Sequence, residues 1–131
     1  IFGYAGTFDS QIIQYNFNPP TPEGNVYKFM HTKFIKNLKS FYNEWELGGK
    51  DSEISLIIGI KGRLYEHDAE NMTLISYDRD YLAIGSGSDY AMGSLHATRN
   101  HKDPKRRLAL ALDAACQLST SCIGPVDFLH G

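Results

Sequence analysis

The chain contains little cysteine, and its two cysteines do not form the pattern of a structural site. Cys116 and Cys122 are six residues apart, and no partner residues stand around them at a zinc-finger spacing. A disulfide scaffold needs more cysteine than this, and a zinc module needs ligand residues at a defined spacing around its cysteines. We therefore expect two reduced thiols in a cytoplasmic protein.

Long hydrophobic runs and an excess of one charge are also missing. No apolar stretch approaches the ~20 residues that a membrane-spanning helix needs. The net charge is −2, with 42% hydrophobic and 21% charged residues, so nothing attracts the chain broadly to nucleic acid or to anionic lipid. The length of 131 residues suits one globular domain. We expect a single domain over 1–131, with no nucleic-acid partner and no membrane partner.

The N-terminal sequence lacks the features of a signal peptide. The stretch from Ile1 to Gly6 has neither a basic region nor a long apolar core, and it has no initiator methionine. It is instead typical of a short buried strand that ends on glycine. We therefore expect residues encoded upstream to be absent from this chain.

Apolar periodicity predicts an α+β domain in which helices cover sheet. Asp103 followed by Pro104 is a helix-start signal. The predicted strands cover 1–6, 53–60, 63–67, 72–77, 81–84 and 126–129. The first predicted helix ends at 15. The other three cover 24–45, 87–98 and 104–118.

A glycine-rich stretch, Gly85 to Ser88, joins the predicted strand 81–84 to the following helix. Ser86 precedes Asp89 by three residues, which is the spacing of a capping box, so we expect Ser86 to cap a helix that starts at Gly87. The free amides of such a helix start, and the positive end of its dipole, stabilise an oxyanion or a carboxylate.

Spacing excludes three familiar motifs at this turn. No lysine follows Gly87 as a P-loop requires, and Ile84 occupies the position where a nucleophile elbow needs glycine. Tyr90 stands where a dinucleotide-binding fingerprint needs its last glycine. Two interpretations remain open, a plain strand-to-helix junction and the supporting wall of a site.

Four segments resemble, in the same order along the chain, the proteasome-type N-terminal-nucleophile hydrolases, and especially the HslV-type bacterial proteasome-like protease. YLAIGSGSDYAMGSLHA (81–97) is similar to the family's AIGSG junction, and IFGYAGTFDS (1–10) to its AGFAG strand and first helix. SLIIGIKGRLYEHD (55–68) resembles its central hairpin, and LALALDAACQLSTSCIG (108–124) its last long helix and the turn after it.

The resemblance implies a four-layer αββα sandwich that here lacks its first strands. It also implies chemistry by an N-terminal threonine, whose α-amine acts as base, with an acidic residue and a lysine upstream of the AGFAG strand. None of these three residues has a counterpart in this chain, which begins at the AGFAG-like strand. The nucleophile is therefore expected outside these 131 residues, and Ser86 and Gly87 match residues that support it.

The resemblance also implies a sodium ion and no organic cofactor. Family members of the HslV type bind sodium through backbone carbonyls spaced three apart, which fall on Cys116, Ser119 and Cys122. Carbonyls at a helix C-terminus lack helical partners and carry the negative end of the dipole, so they suit a hard cation. Many proteasome subunits have an aspartate at the position of Ser119, and this chain does not.

Three functions follow as hypotheses. The first is a subunit of a homo-oligomeric, proteasome-like threonine peptidase ring that hydrolyses unfolded proteins delivered by an ATP-driven unfoldase. The alternative is a non-catalytic structural or interaction subunit of the same fold, suggested by the missing nucleophile and by Ser119. The third is a small α+β domain that binds an anion at the Gly85 to Ser88 amides.

Overall fold

The computed structural model describes residues 1–130 and separates into two compact units, with the boundary between Asp80 and Tyr81. The first unit combines a sheet with helices, and the second unit is helical, so the α+β class is confirmed. The first unit contains β1 (Phe2–Ala5), α1 (Ser10–Asn16), α2 (Val26–Phe29), a π-helical turn (Met30–Phe34), α3 (Ile35–Glu44), β2 (Ser55–Ile60), β3 (Arg63–Asp68) and β4 (Thr73–Tyr77). The second contains α4 (Ser88–Ala97) and α5 (Pro104–Leu118).

The strands of the first unit form one antiparallel sheet in the order β1-β2-β3-β4. The register pairs Phe2 with Ile58 and Leu56 with His67. Lys61 and Gly62 join β2 to β3 with φ angles of 45° and 75°, and two consecutive positive φ values are typical of the tight turn that matches strand twist. Strands β2, β3 and β4 therefore form an antiparallel meander.

A continuous helical segment, Val26–Glu44, follows the prolines and corresponds to the helix predicted over 24–45. Asn25 caps its start, because the Asn25 side chain accepts a hydrogen bond from the Lys28 amide at 3.0 Å. Inside it, the Ile35 amide donates to the Met30 carbonyl five residues back, which defines a π turn. Apolar periodicity did not predict this turn.

The core of the first unit lies where the helices meet the sheet. Helical side chains such as Phe34 and Leu38 are buried there with Ile58 and Tyr65 of the sheet. The aromatic rings contact one another directly, with the Phe2 and Phe34 centroids 6.2 Å apart and those of Phe17 and Phe34 5.9 Å apart. Burial of large aromatic surface is the main favourable contribution to the free energy of folding in such a core.

The second unit is an α4–α5 pair packed through small side chains. Its buried cluster consists of Ala91, Leu95, Ala111 and Ala115. Asp103 caps α5, accepting hydrogen bonds from the amides of Lys105 at 3.0 Å and Arg106 at 3.2 Å, with Pro104 in the first turn. The helix start predicted from Asp103 and Pro104 is therefore confirmed.

Two predicted strands are wrong. Residues 81–84 and 126–129 carry no strand hydrogen bonding in the part of the chain that the structure describes. Both stretches are apolar, but a strand also needs a neighbouring strand to satisfy its backbone groups, and local composition does not supply one. Within residues 1–130, no helix is both long enough and apolar enough to cross a membrane.

Candidate functional site

The glycine-rich turn begins with a residue in a backbone conformation that favours glycine. Gly85 has a φ of 95°, a region that other residues rarely adopt. The amide of Ser88 donates to the Gly85 carbonyl at 3.0 Å, and α4 starts at Ser88. The chain therefore turns sharply into the helix within three residues.

Gly87 is required for a different reason, close packing. Its φ of −94° suits any residue, but a Cβ atom there would lie 2.5 Å from the Cys122 Sγ and 2.9 Å from the Ala115 Cβ. The start of α4 thus lies directly against α5 and the segment after it. The two glycines have separate causes, a turn at Gly85 and a tight helix contact at Gly87.

Ser86 does not cap the helix, and this prediction is wrong. The N-cap position is Gly87, and no side chain accepts a hydrogen bond there. The helix starts one residue later than the capping-box spacing implies. The Ser86 hydroxyl lies near the Cys122 thiol instead of the helix amides. Its Oγ lies 3.7 Å from the Cys122 Sγ. Ser86 is exposed and Gly87 is buried.

The three residues of the predicted sodium site lie at and beyond the end of α5. Cys116 is in the last turn, and Ser119 is the C-cap residue, whose amide donates to the Ala115 carbonyl at 2.9 Å. Cys122 comes after the helix and contacts the glycine-rich turn, so one of the three joins Ser86 and Gly87. Both cysteines are free thiols, as predicted.

Side chains alone do not form a metal centre among residues 1–130. No group of three or more His, Cys, Asp or Glu residues in that range is arranged to hold an ion. The predicted sodium site uses backbone carbonyls instead, and it stays a prediction.

The second unit also contains a polar cluster that the sequence analysis missed. The Tyr81 hydroxyl lies 2.9 Å from His96 Nδ1, and the Arg107 guanidinium lies 5.4 Å from the centre of the Tyr81 ring. Arg107 is buried, although its position in the first turn of α5 suggests a solvated charge. These residues are 15 and 26 positions apart from Tyr81, and no local pattern connects them.

The glycine-rich turn therefore gathers an exposed hydroxyl, a thiol and the first turn of a ten-residue helix. Asp89 is the acidic residue of that first turn, where a negative charge complements the helix dipole. This arrangement supplies hydrogen-bond donors at an exposed position. It contains no strong base.

Comparison with known proteins identifies the fold. Neither a family model nor a curated protein matches the chain. Among solved structures, the Thiobacillus denitrificans protein BPH in complex with epoxomicin matches with a TM-score of 0.66 and 19% identity, over 95% of this chain and 70% of that one. A second structure of BPH gives a TM-score of 0.65 and 20% identity, over the same shares of the two chains. The chain shares the fold of these structures.

Eukaryotic HslV from Trypanosoma brucei extends the likeness to a second organism, with a TM-score of 0.59, 19% identity, and coverage of 90% of this chain and 67% of that one. The resemblance to HslV-type proteasome-like proteins, drawn from four short segments, is confirmed at the level of the fold.

Proposed function

We propose that this chain belongs to a subunit of a proteasome-like threonine peptidase, which hydrolyses peptide bonds of unfolded proteins inside a ring chamber. The observation that carries the proposal is the HslV-type fold, which extends over 95% of the chain. The glycine-rich turn supports it, since Ser86 and Gly87 match family positions that lie beside the nucleophile.

In this proposal Ser86 and Gly87 have supporting roles. The close contact of Gly87 with Cys122 and Ala115 fixes the start of α4, so its free amides have a defined direction. Ser86, exposed next to them, adds a hydroxyl donor. Donors that are already oriented stabilise developing negative charge without reorganising. The nucleophile itself is an N-terminal threonine on a preceding strand.

The same proposal includes the finer features that the family resemblance implies. They are the four-layer αββα arrangement, a homo-oligomeric ring in the cytoplasm, an ATP-driven unfoldase as partner, and sodium at the carbonyls of Cys116, Ser119 and Cys122. The end of α5 supports the sodium site, because carbonyls near a helix C-terminus attract a cation.

A non-catalytic subunit of the same fold is the second candidate. Ser119 favours it, because many proteasome subunits use an aspartate there to support the nucleophile. A serine hydroxyl whose Oγ accepts from the Ser121 amide, at 3.3 Å, does not replace a carboxylate.

The test uses the protein as its gene encodes it, with the mature N-terminus read by mass spectrometry. We expect an N-terminal threonine, a ring in native mass spectrometry, cleavage of unfolded casein, and binding of epoxomicin, the compound found with BPH. A ring without threonine and without cleavage would establish the non-catalytic candidate. A stable monomer that cleaves nothing would overturn both.

A matched pair of variants tests the supporting role. Ser86→Ala should lower casein cleavage on the order of 100-fold, the usual cost of removing one oriented donor, while the ring stays intact. Ser40→Ala, at an exposed position on α3, should leave cleavage unchanged. Equal activity in the two variants would remove Ser86 from the proposal.

A further inference from the structure

Two polar aromatic side chains are buried together in the core of the first unit. Tyr42 on α3 is 1% exposed, and His67 on β3 is 0% exposed. Their ring centroids are 5.5 Å apart, so helix and sheet touch through these two rings. Polar groups in such a core are normally hydrogen-bonded, which makes their partners the decisive question.

The hydrogen bond of His67 determines which ring nitrogen carries the proton. Its Nδ1 lies 2.7 Å from the Thr73 carbonyl oxygen, and a carbonyl only accepts, so Nδ1 is the protonated nitrogen. In the neutral ring, Nε2 is therefore an acceptor. Neither this Nε2 nor the Tyr42 hydroxyl has a hydrogen-bond partner from residues 1–130.

The carboxylate of Asp68, whose charge acts on His67, is already engaged in the turn between β3 and β4. One of its oxygens accepts from the Glu70 amide at 2.9 Å, and the other accepts from the Asn71 side chain at 2.8 Å. Burial lowers the pKa of His67, while the Thr73 hydrogen bond and the charge of Asp68 act in the opposite sense and only partly offset it. The neutral ring is the form that fits this core.

Among residues 1–130, Asp68 is the one carboxylate whose charge acts on His67. Burial also raises the pKa of Tyr42, so α3 faces His67 with a neutral hydroxyl, and β4 faces it with the Thr73 carbonyl. Further along the same interface, the His31 ring lies 6.2 Å from Tyr65, which is the next inward-facing residue of β3.

We propose that Tyr42 and His67 form an acid-sensitive latch between the end of α3 and the sheet, which holds while His67 is neutral and opens when Nε2 is protonated. A buried imidazolium whose Nε2–H group has no acceptor costs free energy, and moving the ring toward water removes that cost. Because Tyr42 packs against the ring, the end of α3 moves with it. This proposal does not depend on the peptidase function.

The segment that would open is defined by its contacts with the latch. The Leu47 amide donates to the Tyr42 carbonyl at 2.8 Å, and a Cβ on Gly48 would lie 3.2 Å from the Tyr42 ring. The Gly49 amide donates to the Ala69 carbonyl at 3.4 Å. Loss of the Tyr42 contact therefore exposes the loop that follows α3.

The pH range follows from the direction of the shift. A histidine in an unfolded chain has a pKa of about 6.5. The pKa of His67 is lowered in the fold, so the latch holds fully above that value and weakens as the pH falls from it toward the folded pKa. In that interval the ratio of closed to open protein falls by up to about tenfold per pH unit.

Hydrogen exchange between pH 7.5 and pH 4.5, corrected for intrinsic rates, tests the latch in the full chain. We expect exchange in the loop 47–49 and the end of α3 to rise by up to about tenfold per pH unit below 6.5. His67→Gln, which cannot gain a proton, should remove this rise. Two control variants, His101→Gln at an exposed position and His31→Gln, should keep it. The same rise in His67→Gln would overturn the proposal.

A second measurement keeps the test valid if His67→Gln does not fold. Nitrogen-15 NMR of the unchanged protein should show His67 protonated at Nδ1 and neutral at pH 6.5, with titration coinciding with increased exchange of the 47–49 amides. Titration at or above pH 6.5, or titration without any change in those amides, would overturn the latch.

Discussion

The cores of the two units are built from side chains of very different size. The first unit buries large groups between helix and sheet, among them Met30, Phe34 and Tyr42. The second unit packs α4 on α5 through alanines, and at Gly87 even a methyl group has no room. The first core is thus stabilised by the volume that it fills, and the second by how closely two helices approach.

This difference predicts opposite sensitivities. Removing atoms from the first core should leave a cavity, whereas adding atoms to the α4–α5 contact should force the helices apart. The following predictions compare the units directly, beginning with the largest effect. All four are made on the whole chain.

The largest expected effect is loss of an aromatic ring from the first core. Phe34 is 2% exposed and packs against Phe2 and Phe17, so Phe34→Ala should lower the free energy of unfolding by about 3–5 kcal/mol. Urea unfolding measures it. Phe8→Ala, at a residue that is 87% exposed, should change the free energy by less than about 0.5 kcal/mol. Equal costs for the two variants would show that this core is not as described.

In the second unit, adding a single methyl group should be destabilising. Gly87→Ala places a Cβ against Cys122 and Ala115 and should cost about 1–3 kcal/mol in urea unfolding. Gly93→Ala, inside α4 with open space at its Cβ, should instead stabilise by about 0.5–1 kcal/mol. Adding Cys122→Ala to Gly87→Ala should recover part of the loss. A neutral Gly87→Ala would contradict the close contact.

Helix caps should give a smaller effect and a clear contrast between the units. Asp103 accepts two amide hydrogen bonds at the start of α5, so Asp103→Ala should cost about 1 kcal/mol. Asp9 occupies the same position in α1 without a side-chain hydrogen bond, so Asp9→Ala should be nearly neutral. Thermal unfolding of the two variants compares them, and an equal loss would mean that hydrogen bonding is not the cause.

The smallest effect concerns an exposed ion pair in the first unit. Lys33 Nζ lies 2.7 Å from Glu23 Oε2, and its hydrogen bond and charge lower the pKa of Glu23. Lys33→Met should return this pKa to its usual range in an NMR titration. Lys36→Met, at a neighbouring exposed lysine, should leave it lowered. A pKa that stays low without Lys33 would point to another cause.

Elements with local signals were predictable, and those that depend on distant partners were not. Asp103 and Pro104 placed the start of α5, and turn residues between the strand-like runs placed β2 to β4 within two residues. The stretch 81–84 has strand-like composition, but it forms no strand, because strand formation depends on a pairing partner that local composition does not reveal. Ser86 failed as a cap for a similar reason, because its neighbour Cys122 is 36 positions away.

The candidate site divides in the same way. The family resemblance identified Gly87 as a residue that supports the nucleophile, and the structure adds a packing contact of Gly87 with Ala115 and Cys122, which the sequence did not predict. The fold brings together Tyr81, His96 and Arg107. Their spacing in the sequence does not predict this cluster. The family resemblance found the overall architecture because it compared the order of whole segments rather than single residues.

The π turn at Met30–Phe34 keeps buried side chains of the long helical segment aligned on one face. Met30, Phe34, Leu38 and Tyr42 are four residues apart and all buried, yet each step of four in an α-helix overshoots a full turn by about 40°. In the π turn the backbone hydrogen bonds join residues five apart, so each residue turns the helix by a smaller angle than in an α-helix. The four buried side chains are thereby brought back toward one face of the helix. The turn therefore holds one residue more than an α-helix would need to join the same two ends. Because the π turn accommodates this additional residue, the buried faces of the helical segment before and after it stay directed toward the same core.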